Sequence, residues 1–305
     1  GRATNGGYGE GGGIYIDRGA PILKNLIIIE NYAGYYGGGI YGQYTSAKLV
    51  NLVIKGNTTH NDGGGIVFAS SGTPLLINIL VSGNSVTGRG GGIYFSGVSA
   101  KCSNLTISGN SADQKGGGIY CNTTDYKLVN SIIWNNQAIG DGDQIYNNNS
   151  TCDISYCDIE GGSSNIVSSG GSESYNNVID TDPWFIDVVD PNDAPTADGD
   201  FHLITGSPCI EAGINDSVDV ADDLDGENRI QNSTVDLGAY EGGETAILYV
   251  DNDAGGANNG SSWADALNNL QDALDSASAG YQVWVAAGTH YPDEGENHSD
   301  GNRSE

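Results

Sequence analysis

Asp180, Asp182, Asp198 and Asp200 stand in an acidic stretch, and carboxylates in such company are suited to a hard cation such as Ca²⁺. Aspartates in Gly- and Asn-rich sequence also serve as plain turn residues, which is the competing expectation. Asp223-Leu-Asp225-Gly226 has the outline of a calcium loop. It places Ala221 at the first ligand position and has no bidentate Glu at the required distance, which excludes an EF-hand. His60, His202, His290 and His298 are scattered, and none has a Ser or Cys partner at the spacing nucleophilic catalysis needs. Lys24, Lys48, Lys55, Arg89, Lys101, Lys115 and Lys127 are spread singly through the repeats, so no acid-base constellation gathers in one stretch. Tyr15, Tyr41, Tyr94, Tyr120 and Tyr146 recur at regular intervals, with Val67 interrupting. Such a column offers either a stack that steadies a sheet surface or an aromatic platform for a sugar chain.

The Tyr column belongs to a larger period. Gly-Gly-Gly begins at Gly11, Gly37, Gly63, Gly90 and Gly116, spacings of 26, 26, 27 and 26 residues, and Gly142-Asp-Gln-Ile-Tyr146 is an eroded sixth copy. Asn25, Asn51, Asn78, Asn104 and Asn130 keep the same period, as do Asn31, Asn57, Asn84, Asn110 and Asn136. A tandem period in this range marks a unit that cannot bury its own apolar face and must stack on its neighbours. Short runs such as Leu49-Val-Asn-Leu-Val-Ile54 read as strands, with no helical pattern between them. One repeat is then one coil, equivalent strands lie parallel, and Ile14, Ile40, Ile66, Ile93, Ile119 and Ile145 form an internal column. The two Asn columns are expected at two bends, where an amide can bridge to the next coil and satisfy turn backbone. The Gly triplet supplies positive φ or close backbone approach. Tyr, following the inward Ile, points outward.

These motifs resemble the right-handed parallel β-helix of the pectin-lyase-like superfamily. They are most similar to large bacterial surface proteins of that superfamily and more distantly to the polymorphic outer-membrane proteins. The resemblance implies an all-β solenoid of about 26 residues per coil plus a C-terminal strand-helix-strand segment. The superfamily's lyases and hydrolases use basic residues with acidic or metal partners and bind polysaccharide along an outer face. No such constellation assembles among the residues above, so no catalytic residue is assigned.

Regular coils are expected over residues 1–162, irregular closing coils over 163–245, and a cap-like segment over 246–305. Tyr156 and Gly162 replace Asn in both columns, and this is expected to end regular stacking. Trp184, Phe185, Phe201, Leu203 and Ile210 are then expected to cover the open apolar end, which a solenoid must protect. In the final segment Ile247-Leu-Tyr249-Val250 and Val283-Trp284-Val285 read as strands. Ser262 to Asp265 has a capping-box outline, and Trp263, Leu267, Leu270, Leu274 and Ala277 trace one helical face ending before Gly280.

Cys102 takes the place of Leu49, Leu76 and Leu128, and Cys157 that of Leu52 and Leu105, as small buried hydrophobes. No two of the five Cys are one period apart, so Cys121 with Cys152 is the one pair to test for a bridge. The net charge of −28 argues against a nucleic-acid partner, and no apolar run is long enough to span a membrane. The chain opens inside a repeat, as a processed or partial segment does. The expected function is a secreted, non-catalytic structural solenoid at the cell surface. Its expected partner is another copy, bound head to tail through the C-terminal segment (Tyr249, Trp263, Leu267, Leu270, Leu274, Trp284). The alternatives are a fragment of a long tandem adhesin, or a module that binds or cleaves surface glycans. No cofactor is required, with Ca²⁺ as the one candidate ion.

Overall fold

The computed structural model describes residues 1–3, 9–244, 247–277 and 281–288, so His290, His298 and Gly280 lie outside the described residues. The chain divides into two compact units, one of residues 1–203 and 208–242, the other of residues 204–207 and 243–305.

In the first unit each repeat forms one coil. Ile14–Gly19, Ile40–Thr45, Ile66–Ala69, Ile93–Ser96 and Ile119–Asn122 stack as one parallel ladder. Ile22–Ile29, Lys48–Lys55, Leu75–Ser82, Ser99–Ser108 and Asp125–Trp134 stack as a second ladder, and Ile145–Ile159 runs through both in the sixth coil. Two-residue strands from Arg2–Ala3 to Gln137–Ala138 make the third side. Residues one period apart are backbone partners, as with Ile93 and Ile119 or Cys102 and Leu128. The Ile column from Ile40 to Ile145 is therefore buried, together with Leu49, Leu76, Cys102, Cys157 and their neighbours.

Left-handed corners close each coil. Asn25, Asn51, Asn78, Asn104 and Asn130 all have φ between 50° and 55°, a region Asn tolerates better than most residues. Tyr156 and Asn177 hold the same corner at φ 51° in the next two coils. In the triplet only the first Gly needs positive φ. Gly38 is required by packing instead, because a Cβ there would fall 2.3 Å from the Gly64 carbonyl oxygen.

The two Asn columns do different work. Asn31, Asn57, Asn84, Asn110 and Asn136 form a continuous ladder. Each Oδ1 from Asn57 onward accepts both the backbone N–H and the amide of the preceding Asn, as Asn84 Oδ1 does from Asn57 at 2.9 and 3.0 Å. Each Nδ2 also reaches back to a strand-end carbonyl, as Asn84 does to Ile54 O at 2.9 Å. In the corner column the amides join only between Asn78 and Asn51, at 3.2 Å. Asn78 also donates to Asp222 O at 2.7 Å, and Asn130 exchanges hydrogen bonds with the backbone of Ile214. This corrects the expectation of two bridging ladders.

Stacking also continues beyond residue 162. Val167–Ile179 pairs in parallel with Ile145–Ile159, Tyr146 opposite Val167, so this coil spans 21 residues instead of 26. Its residues are mostly exposed, and residues 180–242 do not cover it as a closing cap. They run back along the outside of the solenoid. Phe185, Phe201, Leu203 and Leu237 pack on Leu80 and Ile132, outward residues of the second ladder. Asn135 donates to Val189 O at 2.8 Å, Thr196 to Gly83 O at 3.0 Å and Lys55 to Gly199 O at 2.9 Å, so the strap passes over successive corners toward the second coil. Gly83 permits this approach, since a Cβ there would lie 2.1 Å from Thr196 O.

The second unit has Ile247–Val250 and Gln282–Val285 as a parallel pair, with Val250, Leu267 and Ala273 as its buried centre. Its helix is shorter than the apolar spacing predicts, Leu270–Ser276, capped by Asn269. Ser262 Oγ does accept from Asp265 N, one half of a capping box, but around a turn, and the hydroxyl itself donates to the Asp265 carboxylate. Trp263 and Leu274 are consequently exposed and do not share the buried face of Leu267 and Leu270.

Asn84→Ala leaves the buried Asn57 backbone N–H without its acceptor and Ile54 O without the donor it takes from Asn84. An expected loss of about 3 kcal/mol of unfolding free energy follows, each orphaned group costing about 1–3 kcal/mol. Urea unfolding followed by circular dichroism measures it. A loss below about 0.5 kcal/mol, the range of ordinary surface substitutions, would remove the ladder from the stability account.

Candidate functional site

The Tyr column points away from the aliphatic core yet is not open. Tyr94 and Tyr120 stack at 5.3 Å and Tyr120 and Tyr146 at 5.4 Å, each pair within 6° of parallel. Tyr41, Tyr94, Tyr120 and Tyr146 are buried, and Tyr15 alone of the five is exposed. Three of the residues that precede Gly triplets cover them: Tyr36 stacks on Tyr41 at 5.8 Å, and Arg89 and Lys115 lie over the later rings. Arg89 lies 5.6 and 5.2 Å from the Tyr94 and Tyr120 ring centres and is held by a two-pronged pair with Asp62 at 3.0 Å. Lys115 lies 4.2 Å above Tyr146 and donates to its hydroxyl at 2.8 Å. Ring faces occupied by other rings and cations are not free for a pyranose. The platform expectation is replaced by a cation-capped stack.

The four candidate calcium ligands are not brought together. Asp180 accepts from Gly161 N, Asp182 from Trp184 N and Asp198 from Thr196 Oγ1, each at 2.8–2.9 Å. Among the described residues no three His, Cys, Asp or Glu side chains converge as a metal-binding group. Asp200 serves a different purpose. It hydrogen-bonds Nδ1 of His202, whose Nε2 meets Asp225 Oδ2 at 2.6 Å, while the imidazole lies 4.0 Å from the Tyr240 ring. Asp200 and then Asp225 raise the His202 pKa from 6.5 to about 9 despite partial burial. The imidazolium thus clamps Phe201-His202-Leu203 to the Asp223-Leu-Asp225-Gly226 turn.

A second clasp is fully buried. Arg229 Nη2 donates to Gly238 O at 2.6 Å and meets Glu241 Oε1 at 3.2 Å. Asp223 accepts the backbone N–H groups of Asp225, Glu227 and Glu241, and Asp236 those of Glu211 and Gly242. Burial pushes Glu241 up to about 8, partly offset by Arg229. Asp158, on the last full coil, accepts from Cys209 Sγ at 3.0 Å and from Thr181 N at 3.2 Å, and burial pushes it up to about 7. Sequence reading missed both clasps, because their members follow no period and meet only when the strap folds back. Cys121 and Cys152 are separate free thiols in the aliphatic core, so the tested bridge is absent. Burial pushes Cys157 up to about 12, and Cys102 and Cys121 rise for the same reason.

In the second unit Tyr249 packs edge-on against Trp263 at 4.9 Å and Trp284 at 5.9 Å. Both Trp side chains are 45% exposed, making an aromatic face opposite the small apolar centre. Leu267 and Leu270, by contrast, belong to that centre.

Parallel coils, an internal Asn ladder and left-handed corners define a β-solenoid. Residues 3–159 match the family described as right handed beta helix region, and the chain belongs to that family. No curated protein and no solved structure matches the chain.

The clasps make stability fall with pH. His202 has a folded pKa above its unfolded one, so its stabilisation is complete below about pH 6.5 and lost as pH rises through about 9. Asp158 and Glu241 also bind protons more tightly when folded. Their contribution, complete below the usual carboxylate range, is lost as pH rises through about 7 and about 8. Asp158→Asn is therefore expected to raise the thermal midpoint at alkaline pH by about 3 °C and to leave it unchanged near the unfolded carboxylate pKa. His202→Gln should lower the midpoint at neutral pH and flatten the alkaline decline. Calorimetry across pH checks both signs. Iodoacetamide should leave Cys102, Cys121 and Cys157 unlabelled in the native protein and alkylate them in urea, read by mass spectrometry.

Proposed function

We propose that the protein is a non-catalytic extracellular structural β-solenoid that assembles head to tail through its C-terminal unit. The carrying observation is a pair of exposed apolar surfaces. The first described coil presents Ile22 at 69% and Ile27 at 73% exposure, and the C-terminal unit presents Tyr249, Trp263 and Trp284. The aromatic face, three rings in mutual contact, is of the kind that usually marks association. Joining two different patches on successive copies is a heterologous contact that does not close, and its product is a filament. The chemistry-bearing side chains support a structural reading. Both nitrogens of His202 face carboxylates, Arg229 is buried against Glu241, and the core thiols are held protonated by burial. The net charge of −28 suits a soluble surface protein.

Electron microscopy and sedimentation of the full chain test the proposal. The full chain should form concentration-dependent fibres, and Trp263→Ala with Trp284→Ala, or removal of residues 247–305, should leave monomers. Fibres of equal length from those variants would overturn the C-terminal contact. A native mass far above one chain's would instead mark a stretch of a longer tandem adhesin.

A further inference from the structure

The parallel ladders of the first unit finish on two open edges. Among the described residues, Ile14–Gly19 and Ile22–Ile29 of the first coil pair on one side only, with the second coil. Val167–Ile179 of the seventh coil likewise pairs on one side only, with Ile145–Ile159. The unpaired backbone groups along such an edge are a template for another strand.

Both edges are built to one pattern. Asn25 lies ten residues after Tyr15 and Asn177 ten after Val167, and both hold the left-handed corner, at φ 55° and 51°. The seventh coil is therefore short only outside the two ladders, and across them it keeps the spacing of the first. Followed from coil to coil, the register puts Val167 in the column of Tyr15. It puts Tyr175 in the column of Leu23, Asn176 in that of Lys24 and Val178 in that of Leu26.

The aliphatic columns are thus in phase at both ends, and they are unfinished there. Ile14, Leu23 and Leu26 at one end, and Tyr175 and Val178 at the other, are only partly buried, whereas Leu49, Leu52 and Leu76 between them are fully buried. The edges also differ in charge. Arg18 is paired with Asp17 at 2.8 Å, which leaves Lys24 as the net charge of the first edge, and Glu173 is the one charge on the second. Opposite signs favour contact between unlike edges over contact between like ones.

We propose that the seventh coil of one copy accepts the first coil of another as its next coil, with parallel backbone pairing and Asn176 beside Lys24. The contact is heterologous and repeats along the solenoid axis. It rests on the head-to-tail reading and adds an axial contact to the C-terminal one, because Ile22 and Ile27 lie on the outer face and stay open beside it.

Cysteine crosslinking of the full chain tests the register. Paired residues on neighbouring strands stand about 4.8 Å apart, inside the Cα range of a disulfide. Lys24 and Asn176 are exposed, while the five native thiols are buried. Lys24→Cys with Asn176→Cys, oxidised at high protein concentration, should give a ladder of covalent oligomers on a non-reducing gel, at least tenfold above the unsubstituted chain. Arg18→Cys with Asn176→Cys, which is out of register, should not. Asn176→Lys sets like charges side by side, so it should raise the concentration needed for fibres at least tenfold with the thermal midpoint unchanged, and adding Lys24→Asp should restore assembly. Absence of the ladder, covalent dimers from Asn176→Cys alone, or indifference to Asn176→Lys would overturn the stacking. If fibres persist after Trp263→Ala with Trp284→Ala and still crosslink in register, the C-terminal contact falls and the stacking stands. If fibres need both Trp residues and never crosslink, the stacking falls and the C-terminal contact stands.

Discussion

Register between stacked strands is the constraint from which the rest follows. A parallel ladder completes the backbone hydrogen bonds of one coil only with the groups of the next, and these face each other only when the strands on either side of a shared corner stay in step. The Asn31-to-Asn136 ladder enforces this from inside. Each Oδ1 takes two N–H groups from the preceding coil, so a slipped coil would strand a buried donor pair and a buried acceptor together. The left-handed corners at Asn25 through Asn177 enforce it from the backbone.

Features that recur were legible in the sequence because recurrence is the physics. The Ile column, the buried Cys102 and Cys157, the parallel strands and the bends all follow from one period. What escaped depends on residues far apart in the chain and outside the period. Leu75-Leu-Ile-Asn-Ile-Leu-Val81 carries apolar residues at both strand parities, a pattern of sheets buried on both faces. That pattern alone does not say what covers the outer face, which is the returning strap. Tyr was rightly directed outward by alternation, but alternation does not reveal that the residue before the next Gly triplet, Lys115 after Tyr94 or Arg89 after Val67, closes over the same column. The helix was overextended because Trp263 and Leu274 share its spacing, whereas Asn269 starts the helix later.

The few cations of this acidic chain are concentrated where segments join. Arg89 and Lys115 bind the Tyr column, Lys55 holds the strap at Gly199, and His202 and Arg229 draw separate parts of the strap together. Arg229 faces Glu241, Asp223 and Asp236 together, and burial pushes Glu241 upward even beside this guanidinium. Repulsion among the remaining acids keeps the surface solvated, and the scarce positive groups fix which acidic segments approach one another.

The returning strap also acts as a ruler. Its hydrogen bonds to Asn135, Gly83 and Lys55 fall at fixed intervals along its own length, so a gene that duplicated or dropped one repeat between those points would leave the strap too short or too long by a whole coil. Copy number, ordinarily the freest variable in repeat evolution, is locked across this span and can drift only outside it.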